Sequence, residues 1–138
     1  IDTLVKEDSE ATNTKRSPLK TFIEYKTLLT ENHPNVIVIV NNPCLEFWFL
    51  LHFEKTTRHF NSCASAEADL KKKLKNYEKT QKFFTRQNDD IYLKLKPYLK
   101  TAIKNAVSLG NFDNRDPKKA MSEMEILFQS EELRKLLE

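Results

Sequence analysis

Glycine is almost missing from this chain: one residue in 138, beside five prolines, two cysteines and a single tryptophan. That scarcity excludes collagen-like and glycine-rich chains and propeller-like folds, and it argues against many tight hairpins. It also removes the glycine-rich loops that cradle phosphates. Two cysteines are too few for a secreted disulfide scaffold. No apolar run approaches the roughly 20 residues needed to cross a bilayer; the longest lies around Phe47 to Leu51. The N-terminus carries no basic-then-apolar leader pattern. The expectation is a cytoplasmic protein with no membrane attachment.

What is present suits one folded domain. Hydrophobic residues make up 39% and charged residues 31%, and nine Phe, four Tyr and one Trp supply core material. Net charge is only +3, but it is unevenly placed. Residues 71–104 hold eleven Lys or Arg against three acids (Glu78, Asp89 and Asp90) and so carry +8, which leaves −5 for the rest. A polyanion partner is expected to meet that basic stretch.

The start, IDTLVKED, reads as the end of a strand, and residues 6–17 as a polar loop. Ser17-Pro18 opens a helix that His33-Pro34 closes. Residues 35–40 are the one strong strand signal. The run VIVIV is continuous and β-branched, as in strands buried on both faces of a parallel sheet. It is expected to pair in parallel with residues 1–5. Few further strands can be read, so the chain is expected to be part of a longer α/β fold.

Asn42 and Pro43 then cap and open a helix, CLEFWFLLHFE, that is apolar on nearly all sides and therefore buried. Helical stripes follow at residues 64–75 and 91–109. Pro97 should kink the second or mark its true start, and Gly110 stands where a C-terminal cap uses glycine. A further helix is read from Pro117 through Met121, Met124, Leu127 and Phe128, and Ser130 caps the last.

Several residues are candidates for chemistry. Glu46 lies within about one turn of the helix start after the strand, where a carboxylate complements the helix dipole and where α/β folds place ligands. His52 shares the same apolar helix, but at 100° per residue it is far from Glu46 around the axis, and a satisfied core histidine is the plainer reading. Asp2, Glu7, Asp8 and Glu10 form an acidic cluster of the kind that holds Mg²⁺, or an ordinary solvated loop. Cys44, His52, His59 and Cys63 do not show the short paired spacing of structural zinc sites, and two buried thiols are the better reading. Lys96, Lys100 and Lys104 recur every four residues, among Tyr77, Phe83, Phe84, Tyr92 and Tyr98. Lysines with interleaved aromatics suit single-stranded nucleic acid, and a solvated helix face is the alternative.

The segment VIVIVNNPCLEFWFLLHFEKT resembles the RloB-like family, whose motif is of the type [S/N]-N-P-C/S-[F/L]-E-x-W-x-L-L-H-F. The matching residues are Asn42, Pro43, Cys44, Glu46, Trp48, Leu50, Leu51, His52 and Phe53. YEKTQKFF, NDDIYLKLKPYLKTAIKNA and PKKAMSEMEILF extend the likeness over nearly the whole chain. The resemblance implies the carboxyl half of a Toprim-like α/β domain with parallel strands, followed by a C-terminal helical region, helix-dominated overall. Residues 1–54 would be the partial Toprim-like core, and 55–138 the helical region packed on it. It also implies phage defence of the abortive-infection type and an ATPase partner. The activity implied is a Mg²⁺-dependent nuclease, with Asp2 matching the second Asp of the Toprim metal pair and Glu46 and His52 as catalytic candidates. Asn42, Pro43 and Trp48 would be structural. A non-catalytic module that holds nucleic acid or a partner protein is the other reading, and an uncovered strand edge would invite self-association.

Overall fold

Ser17 opens the first helix of the computed structural model, which describes residues 17–137. In α1 (Pro18–Asn32) the Lys20 amide donates to Ser17 Oγ at 3.0 Å, and Pro18 sits where no amide is needed. The helix stops at His33, ahead of Pro34. None of its residues is buried. It meets the rest of the fold through an edge-to-face contact of Phe22 with Phe112 at 5.8 Å, with Lys26 over the same ring.

The VIVIV run departs from the expected buried parallel strand. Residues 36–40 form no strand; Val36 and Ile37 are 44% and 65% exposed, and burial begins only at Val40. The strand comes one step later, as β1 (Asn41–Asn42), and pairs antiparallel with β2 (Met121–Ser122). Glu123 extends this ladder: its amide donates to Val40 O at 2.9 Å, and its carboxylate accepts the Val40 amide at 2.8 Å. The physical reason lies in partners. A β-branched run fits a pleated surface only where a neighbouring strand takes up its amides and carbonyls. Here the described neighbour, β2, reaches only the end of the run. Residues 1–5, the expected parallel partner, lie outside the described residues, as does Asp2. Among the described residues the sheet is two-stranded and antiparallel, and helix dominates.

The junction after β1 also differs in detail. Asn42 does not cap the helix; its side-chain amide donates to Pro117 O and Lys119 O, each at 2.7 Å, and the Asn42–Pro43 peptide is cis. Cys44 takes the cap position, and α2 (Leu45–Leu51) follows with Phe47, Trp48, Phe49, Leu50 and Leu51 all buried. Nearly every side of α2 is apolar, so it is stable only when wrapped. α3 (Cys63–Lys73) and α6 (Leu99–Leu109) pack closely on it, using Ala66, Leu70, Ala102 and Ala106. Those small and medium side chains let the helices approach closely. The carbonyls at the end of α2 are satisfied from within: Asn105 Nδ2 donates to Leu51 O at 2.8 Å.

The rest follows the sequence closely. Ser62 caps α3 in a reciprocal box with Ser65. α4 (Gln81–Phe84) is a single turn capped by Thr80. Pro97 divides the 91–109 pattern as expected, into α5 (Ile91–Leu95), a 3₁₀ turn (Lys96–Tyr98) and α6. Gly110 ends α6 at φ 79°, a conformation that costs glycine nothing. The helix expected from Pro117 starts later, as α7 (Met124–Gln129), because Met121 and Ser122 are drawn into the ladder with β1. α8 (Glu131–Leu137) follows, with the Leu133 amide donating to Ser130 Oγ. Among the described residues no helix is long and apolar enough to cross a membrane.

Candidate functional site

Glu46 sits in the first turn of α2 and is 5% exposed. A carboxylate so placed must be paired or hydrogen-bonded. Its partners come from the loop after α3, where Asn76 adopts a left-handed conformation (φ 66°) and turns the chain back. Tyr77, 1% exposed, donates its hydroxyl to Glu46 Oε1 at 2.9 Å, and Lys79 Nζ lies 2.8 Å from the same oxygen. Glu67, on α3, reaches Lys79 at 3.6 Å and Lys71 at 2.7 Å. Burial, and then the hydrogen bond to Glu46, push the Tyr77 hydroxyl far above its ordinary range, so it stays protonated. The hydrogen bond to Glu46 raises Lys79, which stays charged.

Sulfur completes this cluster. Cys44 and Cys63 form a disulfide across 19 residues, with Cα atoms 5.5 Å apart. Spacing alone reads them as two buried thiols; the fold joins them because α2 and α3 start side by side. Cys63 Sγ lies 3.1 Å from Glu46 Oε2 and 3.2 Å from Lys79 Nζ. Among the described residues, Cys44, Glu46 and Cys63 are the one trio of metal-type donors, with ligand atoms within 4.8 Å of one another.

His52 is buried at the C-terminal end of α2 and does not meet Glu46 there. Its Nδ1 donates to Trp48 O at 3.0 Å, and its ring lies edge-on to Trp48 at 4.9 Å. Burial lowers its pKa below the ordinary imidazole value, so the ring is neutral near pH 7. His52 and Trp48 help line an apolar cavity of about 260 Å³, together with Phe84, Tyr92, Lys96 and Phe128. Trp48 stacks on Phe128 at 5.5 Å.

The basic stretch divides in two. Lys96, Lys100 and Lys104 are exposed along the 3₁₀ turn and α6, with Lys96 over the Tyr92 ring. A second group converges on a polar cavity of about 340 Å³, lined by Lys75, Asn76, Glu78, Lys82, Phe83, Arg86, Asp89 and Lys94. Asp89 pairs with Lys94 and Arg86. Lys75 and Lys82 have no acidic partner among the described ion pairs. Residues 75–79 therefore face two ways, with Tyr77 and Lys79 turned to Glu46 and Lys75, Asn76 and Glu78 on the cavity. Tyr77, read in the sequence as a base-stacking aromatic, cannot perform that task because it is core.

A family model described as RloB-like protein matches residues 6–130. The chain belongs to the RloB-like family. No curated protein and no solved structure matches it. The segment YEKTQKFF, part of the likeness to that family, supplies both Tyr77 and Lys79. A buried Glu46 demands donors, but nothing in the sequence names Tyr77 and Lys79 as the ones that answer it. The Mg²⁺ site implied by the resemblance rests on Asp2, which lies outside the described residues. Around Glu46 itself stand the Lys79 ammonium, the Tyr77 hydroxyl and the two cysteine sulfurs, whereas Mg²⁺ takes oxygen ligands in an octahedron.

Proposed function

We propose that this RloB-like chain holds nucleic acid by its phosphate backbone, as the binding part of a phage-defence protein. One observation carries the reading: four cationic side chains against two acidic ones around a single cavity, with Lys75 and Lys82 in no ion pair among the described residues. Such a cavity is a place for phosphate, and the partly buried Phe83 ring in its wall adds a face on which a base can stack. Lys96, Lys100 and Lys104, exposed along the 3₁₀ turn and α6, offer further cations to the same polyanion. The nuclease implied by the resemblance rests on Asp2, outside the described residues; the proposal is binding, which the basic cavity supports. An ATPase partner remains part of the same defence reading through the family.

The test is fluorescence anisotropy with short single-stranded DNA and RNA oligonucleotides over a range of salt. The parent should bind with affinity that falls as salt rises. Changing Lys75, Lys82 and Arg86 to Glu should weaken binding for every sequence and reduce the salt slope by about 0.7 for each phosphate no longer neutralised. Changing Lys96, Lys100 and Lys104 to Glu should have the smaller effect. Absence of salt-dependent binding in the parent, or indifference to the first triple change, overturns the reading.

A further inference from the structure

The cluster at the start of α2 contains an unexplained oxygen. Glu46 Oε1 takes both the Tyr77 hydroxyl and the Lys79 ammonium. Oε2 faces Cys63 Sγ at 3.1 Å, and a disulfide sulfur has no proton to donate. A carboxylate oxygen buried beside an aprotic sulfur is costly. The cost disappears if that sulfur is a thiol, or if a cation lies between the two atoms.

We propose that, once reduced, Cys44, Cys63 and Glu46 form a three-donor site for one borderline-soft divalent cation of the zinc type. Three protein ligands with a fourth position open is a recurrent zinc arrangement. With metal–sulfur bonds of about 2.3 Å, a tetrahedral site sets its two sulfurs about 3.8 Å apart. Freed sulfurs on Cα atoms 5.5 Å apart reach that separation by side-chain rotation alone. The carboxylate is already aimed at one of them and held from behind by Tyr77, an outer hydrogen bond of the kind that orients metal ligands. Lys79 now supplies the positive charge the cluster requires. It is 49% exposed, so its ammonium can swing into solvent when a metal ion takes over.

The chemistry balances with a phosphine as reductant. The phosphine gives two electrons to the disulfide and becomes a phosphine oxide with an oxygen from water. The S–S bond breaks, and the two protons of that water end on Cys44 and Cys63. The cation then displaces both thiol protons into solvent as two metal–sulfur bonds form.

The test uses the full chain, reduced with a phosphine, desalted and titrated with Cd²⁺ and Zn²⁺. The reduced protein should bind one equivalent of Cd²⁺ with the ultraviolet thiolate-to-cadmium charge-transfer band, and the oxidised protein none. Zn²⁺ should compete for the same equivalent and raise the thermal midpoint of the reduced protein only. Cys44→Ser and Cys63→Ser should each diminish the band. Glu46→Gln should keep it but weaken binding by about tenfold or more, and Lys79→Met should tighten binding. Circular dichroism checks that each variant is folded. Failure of the reduced parent to bind one equivalent, or binding untouched by either serine variant, overturns the site. An unchanged affinity in Glu46→Gln overturns the three-donor assignment in favour of a simple dithiol chelate.

Discussion

Residues 36–40 and helix α2 are comparably apolar in sequence, yet one lies half in solvent and the other is the centre of the molecule. The difference is their surroundings. α2 is wrapped by α3, α6 and the two short strands, and its polar exceptions are answered: Glu46 by Tyr77 and Lys79, His52 by a backbone carbonyl. The VIVIV run finds Glu123 at Val40 and little before it. Apolar character is thus a request for neighbours, and its contribution to stability depends on whether the described fold meets it.

That contrast can be broken most forcefully inside α2. Trp48→Ala removes a ring stacked on Phe128, and Leu51→Ala empties a fully buried position. Each should lower stability by about 2–5 kcal/mol, read from urea midpoints. A loss under about 1 kcal/mol for both would dissolve the distinction between the two stretches.

A gentler probe is acid. Burial holds the folded-state pKa of His52 below the 6.5 of a solvated imidazole, so the unfolded chain binds a proton more readily than the folded one. The His52 contribution is therefore fully present above pH 6.5 and is lost as pH falls from there through the folded value. The parent should lose stability over that window more steeply than His52→Gln, as measured by urea melts at a series of pH values. Parallel profiles would show that the ring is not titrating in a buried place.

The smallest effect is expected at the other pole. Ile37→Ser alters a side chain that is 65% exposed, and should shift stability by no more than about 0.5 kcal/mol. A large loss would mean that the run is covered in solution.

The helices were legible because their signals are local: the Ser17-Pro18 start, the division at Pro97, the Gly110 stop and the Ser130 cap all come from neighbours within a turn. The strands were not. Asn41, Asn42 and Ser122 carry no strong strand propensity; Asn41 pairs with Ser122 and Asn42 with Met121 because both short strands pack on α2. Glu46 could be singled out by its place in an apolar helix. Tyr77, Lys79 and the joining of Cys44 to Cys63 could not, since each depends on the loop after α3 folding back over the start of α2. The charge count found the basic region but not its shape. Period four drew attention to Lys96, Lys100 and Lys104, while Lys75, Lys82 and Arg86, which lie on no one continuous helix, meet around one cavity only in three dimensions.

The short ladder has a kinetic consequence. Asn41 and Ser122 stand 81 residues apart, and the Glu123 carboxylate ties the Val40 amide to the Phe112 amide beside them. Closing so long a loop for a few hydrogen bonds is entropically unfavourable until the intervening chain is already compact. The helices between, built from near-neighbour contacts, should collect first on α2, and the β1–β2 clasp should shut last. The Glu123 side chain then acts as a latch on an almost finished fold, and protection of the Val40 amide against exchange should appear after that of α3 and α6 during refolding.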